Sequence, residues 1–250
     1  MKEPTSWICN WNQVSLMSDS ALNDAGRLLA IGDIHGCDVA LETLLKELAP
    51  RACDTIVVLG DVIDRGPHTR RCIDLILELQ KACRVVSILG NHEEMFLDSM
   101  SGGRWQRAWL QNGGVEMLDS YGGLVDDIPP EHLDYIRTMQ DYFEAEWDIF
   151  THGTPRFDLP MDEQNAQGLR WNRIAGHEPL HESGKRIICG HTSQKSGRPL
   201  VFMGYVCLDT NAYGSGALSA LDVHADVIYQ AEQSGAYRGE IKLEEFQMGY

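Results

Sequence analysis

The sequence contains no apolar run of the roughly 18 residues that a membrane-spanning helix needs, and it has no internal repeat or low-complexity tract. Hydrophobic residues make up 43% and charged residues 23% of the 250 positions, which excludes disordered, collagenous and coiled-coil chains. The segment from Met1 to Pro4 is charged, and no apolar stretch of a secretory signal follows it. We therefore expect a globular protein of the cytoplasm with no membrane partner.

Positive charge is also scarce. Lys and Arg number 21 against 37 Asp and Glu, so the formal net charge is −16. Such a surface repels phosphate backbones, and we expect no nucleic-acid partner. The seven cysteines are scattered and include no CxxC pair. This pattern argues against a disulfide framework or a zinc finger and predicts reduced, mostly buried thiols.

From residue 28 onward, short apolar runs alternate with helical periodicity. Strands are predicted at Leu28–Ile31, 55–59 and 84–89, each ending at a glycine, and helices over 41–48 and 69–80. This βαβαβ order predicts a buried parallel sheet, whose ligand site lies beyond the carboxyl ends of the strands.

The remainder of the chain predicts further elements of the same domain. They are a helix from Pro129 to about Phe143, strands over 147–150 and 186–189, and a closing β pair formed by 200–209 and 217–230. No linker composition marks a domain boundary, so we expect an N-terminal lead-in over 1–26 and a single catalytic domain over 27–250.

Three loops that directly follow the predicted strands carry polar side chains. They read GDIHG (32–36), GDVIDRG (60–66) and GNHE (90–93), and two later strand ends add His152 and His191. Carboxylate, amide and imidazole donors suit Mn, Fe or Zn better than soft-metal chemistry. Because the carboxyl ends of neighbouring parallel strands meet at one edge, we expect these loops to lie side by side.

The loops offer enough donors for two metal ions. Asp33 and His35 can bind the first, Asn91, His152 and His191 the second, and Asp61 can bridge both. Two ions in such hydrolytic sites lie roughly 3.5–4 Å apart, and metal binding lowers the pKa of water from about 15.7 toward about 7. A bridging hydroxide would then be a nucleophile at neutral pH without any Ser or Cys.

Together the three loops resemble the signature of the phosphoprotein phosphatase (PPP-type) family of metallophosphoesterases. With His152 and His191 the resemblance covers most of residues 28–230, and WLQNGG (109–114) and WNR (171–173) resemble its bacterial and bacteriophage lambda branch. The resemblance implies the calcineurin-like metallophosphoesterase fold. This is an α/β fold in which helices flank a β-sandwich of two mixed sheets, with a dimetal site at the carboxyl ends of the strands.

The resemblance also implies a role for each site residue. The metal ligands are Asp33, His35, Asp61, Asn91, His152 and His191, and the expected ions are two Mn²⁺, with Fe or Zn as alternatives. Arg65, Arg173 and Asn91 bind the substrate phosphate. His92 is the general acid for the leaving oxygen and Asp64 orients it, in keeping with the rule that a carboxylate beside an imidazole keeps it protonated.

The function that follows is a metal-dependent serine/threonine protein phosphatase, a phosphoric monoester hydrolase that also accepts phosphotyrosine. We expect a monomer that acts on phosphoproteins or phosphopeptides. An alternative is a dinucleoside tetraphosphate hydrolase of the same superfamily, which usually has GDLVARG and GNHD, whereas this chain has Asp64 and Glu93. An alternative of another class is an inert metal-binding module, which the complete ligand set disfavours.

Some residues near these motifs receive structural interpretations. Trp105 and Trp109, four residues apart, predict helix packing rather than a recognition platform. Glu93 is expected to cap a helix rather than to bind metal. Asn211 stands where the family usually has Gly, in a loop that also carries Tyr213.

Overall fold

The structure of the protein is a computed structural model, and it describes residues 26–247. Its strands form two mixed sheets. The first sheet contains β1 (Leu28–Ile31), β2 (Thr55–Val58), β3 (Arg84–Ser87), β9 (Leu218–Asp222), β10 (Val227–Ala231) and β11 (Tyr237–Lys242). The second contains β4 (Tyr142–Glu144), β5 (Asp148–Thr151), β6 (Arg186–Cys189), β7 (Leu200–Phe202) and β8 (Tyr205–Cys207).

The strand orders are β11-β10-β9-β1-β2-β3 and β4-β5-β6-β8-β7. β1, β2 and β3 are parallel, as are β5, β6 and β8, while the outer strands pair antiparallel. The helices are α1 (Asp38–Leu48), α2 (Thr69–Ala82), α3 (Asn91–Met100), α4 (Gln106–Trp109), α5 (Val115–Tyr121), α6 (Pro130–Arg137) and α7 (Ala166–Trp171). An irregular helical turn, Leu110–Gly114, joins α4 to α5.

The core has a layer on each side of the first sheet. Leu29 and Ile31 of β1 pack with the inward faces of α1 and α2, whereas Leu28 and Ala30 pack toward Phe150 of the second sheet. This division follows from the two-residue period of a strand. Burying each large aliphatic side chain contributes about 1.5–3 kcal/mol, so the two layers hold the strands in register.

The fold class expected from the sequence is confirmed, since two mixed sheets with flanking helices form the sandwich. Six cysteines of the described part are free thiols, as expected, and Cys9 lies outside it. The predicted lead-in falls almost wholly outside the described residues, and the single domain over 27–250 stays a prediction. In residues 26–247, no helix is both long and apolar enough to cross a membrane.

Two element predictions were wrong. The helix that begins at Pro130 ends at Arg137, because the backbone of Gln140 hydrogen-bonds to Ser87 and Leu89 and the chain then enters β4. The segments 200–209 and 217–230 do not pair with each other. The first contains the β7–β8 hairpin of the second sheet, and the second contains β9, which pairs with β1. Alternation along a strand carries no information about its partner, which tertiary packing selects.

Candidate functional site

Several site residues adopt a backbone conformation that side chains other than glycine seldom take. The φ angles are +47° at His35, +47° at Asp61, +70° at Asp64, +66° at Arg65 and +62° at His191. Such left-handed residues cost about 1–3 kcal/mol each and concentrate at functional sites, where the surrounding structure maintains them. Here they turn the chain sharply after β1, β2 and β6, so that polar side chains face one common cavity.

Two glycines allow the loops to approach closely enough. A Cβ atom at Gly60 would lie 2.9 Å from Nδ1 of His152, and one at Gly90 would lie 2.2 Å from Oδ1 of Asp61. No larger residue fits at either position without moving a site side chain. The glycine at the start of the second and third loops is therefore a packing requirement of the site.

The Asp61 carboxylate lies between two sets of donor atoms. Its Oδ2 is 3.4 Å from Nε2 of His35, and its Oδ1 is 3.3 Å from Nε2 of His152. On the second side, Oδ1 of Asn91 is 3.0 Å from Nε2 of His152 and 2.9 Å from Nδ1 of His191. The structure thus brings together the residues that the sequence predicts as ligands of two ions.

Asp33 completes this group from the loop after β1. The backbone N–H of His191 donates to both oxygens of Asp33, at 3.2 and 3.1 Å. Burial and the neighbouring Asp209 carboxylate raise the pKa of Asp33 well above its ordinary value. Among residues 26–247, ligand atoms within 4.8 Å of one another form two groups, one of His35, Asp61 and His92 and one of Asp61, His152 and His191.

The histidine tautomers fit metal binding. Nδ1 of His35 donates to the carbonyl of Ile63 at 2.9 Å, and Nδ1 of His152 donates to the carbonyl of Leu59 at 2.8 Å. Metal-binding histidines are typically oriented by such a bond from the far ring nitrogen. In both residues the other nitrogen, Nε2, consequently faces Asp61.

His191 supplies the clearest indication of a cation. Its Nε2 donates to the carbonyl of Trp171 at 3.0 Å, and burial lowers its pKa to about 4, so the ring is neutral and Nδ1 carries a lone pair. That lone pair faces Oδ1 of Asn91 at 2.9 Å, which brings two acceptors into contact. A shared cation would make this contact favourable, and the buried carboxylates nearby also need positive charge. The donor set therefore fits divalent metal ions.

His92, in the first turn of α3, lines the cavity beside the candidate metal ligands and pairs with Asp64. Its Nδ1 is 2.6 Å from Oδ2 of Asp64, whose second oxygen accepts the indole N–H of Trp109 at 3.0 Å. Burial raises the pKa of Asp64 to about 6, against the effect of both hydrogen bonds. Burial lowers the pKa of His92, but Asp61 and Asp64 outweigh it and the net direction is upward.

Arg65 reaches the same cavity from the second loop. Its Nη2 is 3.1 Å from Nε2 of His92, and its guanidinium stacks on the Tyr213 ring at 4.6 Å and donates to the Tyr213 hydroxyl. A Cβ at Gly113 would lie only 2.3 Å from the Arg65 backbone nitrogen. This close approach explains Gly113 of the WLQNGG segment, whereas a Cβ at Gly114 would lie 2.5 Å from Cε2 of Trp109.

Glu93 ties the second loop to the third. Its buried carboxylate accepts hydrogen bonds from the backbone N–H groups of Asp61, Val62 and Ile63 at 3.0, 2.8 and 3.2 Å, and from Gly90 at 3.1 Å. Burial, reinforced by Asp61, raises its pKa to about 7. The cap expected at the start of α3 is present, but the bonds to the second loop are a positioning role that the sequence did not indicate.

A cavity of about 450 Å³ opens at the site. Its lining contains His35, Asp61, Asn91, His92 and His191. Its walls contain three cations, which are Arg65, Arg173 and Lys195, and the aromatic side chains Trp105, Trp171 and Tyr213. Arg173 therefore lies at the site, as predicted, whereas Lys195 and the two tryptophans were not identified as site residues from the sequence.

The chain resembles both protein phosphatases and tetraphosphatases. It is 40% identical over 86 residues to serine/threonine-protein phosphatase 1 of Salmonella typhimurium, which covers 34% of this chain and 37% of that protein. It is 39% identical over 154 residues to a symmetrical bis(5'-nucleosyl)-tetraphosphatase of Hamiltonella defensa, which covers 58% of this chain and 52% of that protein. These matches span about a third to a half of the relatives, and they do not confirm the predicted lambda-like branch.

A solved structure assigned provisionally as a diadenosine tetraphosphatase superposes with a TM-score of 0.63. It is 20% identical to this chain and the match covers 84% of this chain and 94% of that one, which supports the fold alone. The profile of the calcineurin-like phosphoesterase family matches residues 26–205, well over half of the sequence. The protein therefore belongs to the calcineurin-like phosphoesterase family.

Proposed function

We propose that this protein hydrolyses symmetrical dinucleoside tetraphosphates with the help of two divalent metal ions. The observation that carries the substrate assignment is the set of cations around the cavity, Arg65, Arg173 and Lys195. Within residues 26–247, none of the three forms a salt bridge with a carboxylate, which is also true of surface residues such as Lys46 and Lys81, but these three line one cavity. In a chain of net charge −16, such a concentration of unpaired cations suits a polyanionic substrate.

The relatives support the same substrate class. Several curated relatives are symmetrical bis(5'-nucleosyl)-tetraphosphatases, from Acidovorax to Vibrio cholerae and Hamiltonella defensa. They favour the dinucleoside tetraphosphate hydrolase over the serine/threonine protein phosphatase that the motifs predict. Symmetrical cleavage adds one water across the central bridge. The water oxygen bonds to one phosphorus, the central P–O bond breaks, and two nucleoside diphosphates leave.

Six side chains would hold the two ions, namely Asp33, His35, Asp61, Asn91, His152 and His191. When bound, the ions supply Lewis acidity toward the phosphate and lower the pKa of a coordinated water. Arg65 and Arg173 would donate to the phosphate oxygens, for which the planar guanidinium is well suited. Lys195 would bind a phosphate farther along the chain of four, a role that a monoester does not require.

His92 would hold the proton that the leaving oxygen needs. Its Nδ1–H donates to Asp64, and Nε2 faces Arg65 and the cavity. A phosphate oxygen that accepts the hydrogen bonds of Arg65 would release Nε2 for protonation. General acids of this type contribute about 10²–10⁴ in rate when the leaving group is basic.

A second candidate function is the hydrolysis of phosphoserine and phosphothreonine in proteins. The Asp64–His92 pair favours it, because an alkoxide leaving group depends on a proton donor more than a nucleoside diphosphate does. The Salmonella relative is a serine/threonine-protein phosphatase. Both candidates share the metal centre and differ in how much they need His92 and Lys195.

One assay separates the two candidates. Protein stripped with a chelator and then supplied with Mn²⁺ is offered diadenosine tetraphosphate, a phosphothreonine peptide and p-nitrophenyl phosphate in parallel. We expect hydrolysis of the dinucleotide to ADP alone, with kcat/KM at least about tenfold above that for the peptide. The reverse order would replace the proposal with the protein phosphatase, and no hydrolysis of any substrate would remove both.

Lys195→Ala tests the observation that carries the proposal. We expect it to lower kcat/KM for the dinucleotide about tenfold and to change that for p-nitrophenyl phosphate by less than about twofold. Lys81→Ala, which removes an exposed lysine of α2 outside the cavity, is the matched control for net charge. Equal effects of the two variants would show that Lys195 does not contact the substrate.

A further inference from the structure

One wall of the cavity is formed by two indoles that the proposed chemistry does not use. Trp105 and Trp171 stack with ring centroids 5.3 Å apart and an angle of 22° between their planes. Both are half-buried, and both line the cavity that contains the candidate metal ligands. Each ring packs against the main hydrophobic cluster with part of its surface and lines the cavity, beside its charged groups, with another part.

The wall is held rigidly. The indole N–H of Trp171 donates to Glu94 at 2.6 Å, and Arg170 donates to the other oxygen of that carboxylate at 2.7 Å. The backbone N–H of Trp105 donates to Asp98 at 2.8 Å. Glu94 and Asp98 both belong to α3, the helix that begins at the metal-ligand candidate Asn91.

The wall is also joined directly to the candidate metal centre. The carbonyl of Trp171 accepts the Nε2–H of His191 at 3.0 Å, so one residue contacts the site through its backbone and forms the wall through its side chain. The distance between wall and metal ligands is therefore set by covalent geometry and by α3. A wall that is positioned this firmly is preorganised to receive a rigid, planar group.

We propose that Trp105 and Trp171 form a nucleobase subsite, which binds the base of one nucleotide while its phosphates extend toward Arg65, Arg173 and Lys195. This inference rests on the proposed function and adds to it the recognition of the base. Stacking on an aromatic side chain accepts any base, because every base has a π-face. A cavity of about 450 Å³ matches one nucleoside diphosphate half of the substrate, with the other half in solvent.

ADP and inorganic pyrophosphate provide a direct test, because they carry the same two phosphates and differ by the nucleoside. Calorimetric titration of the Mn²⁺-loaded protein gives Kd for each. We expect Trp105→Leu and Trp171→Leu to weaken ADP binding about tenfold and to change pyrophosphate binding by less than about twofold. Trp105→Phe, which keeps an aromatic face, should recover most of the ADP affinity.

Trp147→Leu is the matched control, because Trp147 is 72% exposed and precedes β5 at the strand end opposite the cavity. It should change neither Kd. ADP binding that also quenches tryptophan fluorescence in wild type, but much less in Trp105→Leu, would support the subsite independently of turnover. Equal losses of ADP and pyrophosphate affinity, or no loss of either, would overturn the inference.

The outcomes also separate this inference from the proposed function. Wild-type protein that cleaves phosphopeptides but not diadenosine tetraphosphate would refute the proposed substrate, whatever the tryptophan variants do. Protein that cleaves the dinucleotide, yet shows no selective loss of ADP affinity in the tryptophan variants, would refute the subsite alone.

Discussion

Trp109 donates its indole N–H to the Asp64 carboxylate at 3.0 Å, and the other oxygen of Asp64 pairs with His92 at 2.6 Å. All three side chains are buried. The helical spacing of Trp105 and Trp109 predicts helix packing, and the Trp109 ring does pack on Phe96 with centroids 5.2 Å apart. The structure adds an orienting role, because the indole fixes the carboxylate that in turn fixes the imidazole.

Removing only this hydrogen bond should impair the turnover of substrates with basic leaving groups. In Trp109→Phe we expect kcat for a phosphothreonine peptide to fall about tenfold, and kcat for p-nitrophenyl phosphate to fall less than about threefold. The reason is that a misoriented Asp64 no longer holds His92 in position, and p-nitrophenolate hardly needs a proton. Steady-state kinetics on both substrates, with the metal content measured, make the comparison.

Two variants calibrate that result. His92→Asn should keep both metals and lose about 10²–10⁴ in rate on the peptide, which sets the upper limit of the effect. Phe96→Leu disturbs the packing of Trp109 but not its hydrogen bond. It should lower the stability of the protein and change kcat for the two substrates by the same factor. If Trp109→Phe lowers both rates equally, its role is in packing alone.

Because Gly113 approaches Arg65 closely, replacing Gly113 should affect both the stability of the protein and the position of Arg65. Gly113 has a φ of +112°, and a Cβ there would lie 2.3 Å from the Arg65 backbone nitrogen. Gly113→Ala should therefore cost about 1–3 kcal/mol of stability and displace Arg65, which raises KM for phosphate substrates. Urea unfolding and steady-state kinetics measure the two effects.

Gly123→Ala is the matched control for backbone strain. Gly123 has a similar φ of +105°, but a Cβ there would meet no atom within 4 Å. We expect a loss of about 1 kcal/mol from the positive φ and unchanged KM. The same rise of KM in both variants would mean that Gly113 acts through stability rather than through Arg65.

Removal of divalent metal should destabilise the protein. Asp33, Asp61 and Asp209 are each at most 3% exposed, and burial, together with repulsion from the Asp209 carboxylate, raises the pKa of Asp33. Bound Mn²⁺ at about 100 times its Kd should add about 2.7 kcal/mol, seen as a higher Tm than in chelator. In Asp61→Asn we expect fewer than two ions per chain and most of the Tm difference to disappear. Asp74→Asn, on α2 and outside the cavity, should retain both properties.

Asp54, a carboxylate far from the site, should account for part of the loss of folding stability at low pH. Asp54 is buried, which alone would raise its pKa, but hydrogen bonds from Arg27 and Arg51 hold the pKa well below its usual range. The contribution of Asp54 to folding stability is therefore complete above its pKa in the unfolded chain, about 3.9. It is lost as the pH falls toward its lower pKa in the folded protein. Asp54→Asn should cost about 2 kcal/mol at neutral pH, and progressively less below about pH 4.

Urea unfolding of both proteins in chelator, from about pH 7 to about pH 3, measures this difference. Chelator keeps the metal centre from adding its own pH dependence. Asp226→Asn is a suitable comparison, because Asp226 is a 57% exposed partner of Arg186 and should contribute little at any pH. A stability difference for Asp54→Asn that stays constant down to about pH 3 would contradict the assigned pKa shift.

The candidate metal ligands could be predicted because their arrangement follows from local patterns. Each lies directly after a predicted strand, and parallel strands bring their carboxyl ends to one edge of a sheet. Asp33, Asp61 and Asn91 are therefore neighbours once the βαβαβ order is recognised. The same reasoning predicts the fold class, since strand and helix periods are visible in the sequence itself.

The supporting residues could not be predicted in the same way. Trp109 and Asp64 are 45 positions apart, and Trp171 and Glu94 are 77 apart. A tryptophan at helical spacing has the same pattern whether its N–H meets a carboxylate or its ring merely fills the core. Which of these occurs depends on how α3 and α4 pack, and the periodicity of either helix does not contain that information.

By itself, the sequence determined the chemistry at the ends of the strands, because residue type and strand period are local properties. It did not determine what surrounds that chemistry. The tertiary structure decided that Glu93 links two loops, that β7 and β8 close the second sheet, and that Trp105 and Trp171 line the same cavity as three cations. These relationships depend on the packing of distant segments, and packing is decided by the shape and burial of the whole chain.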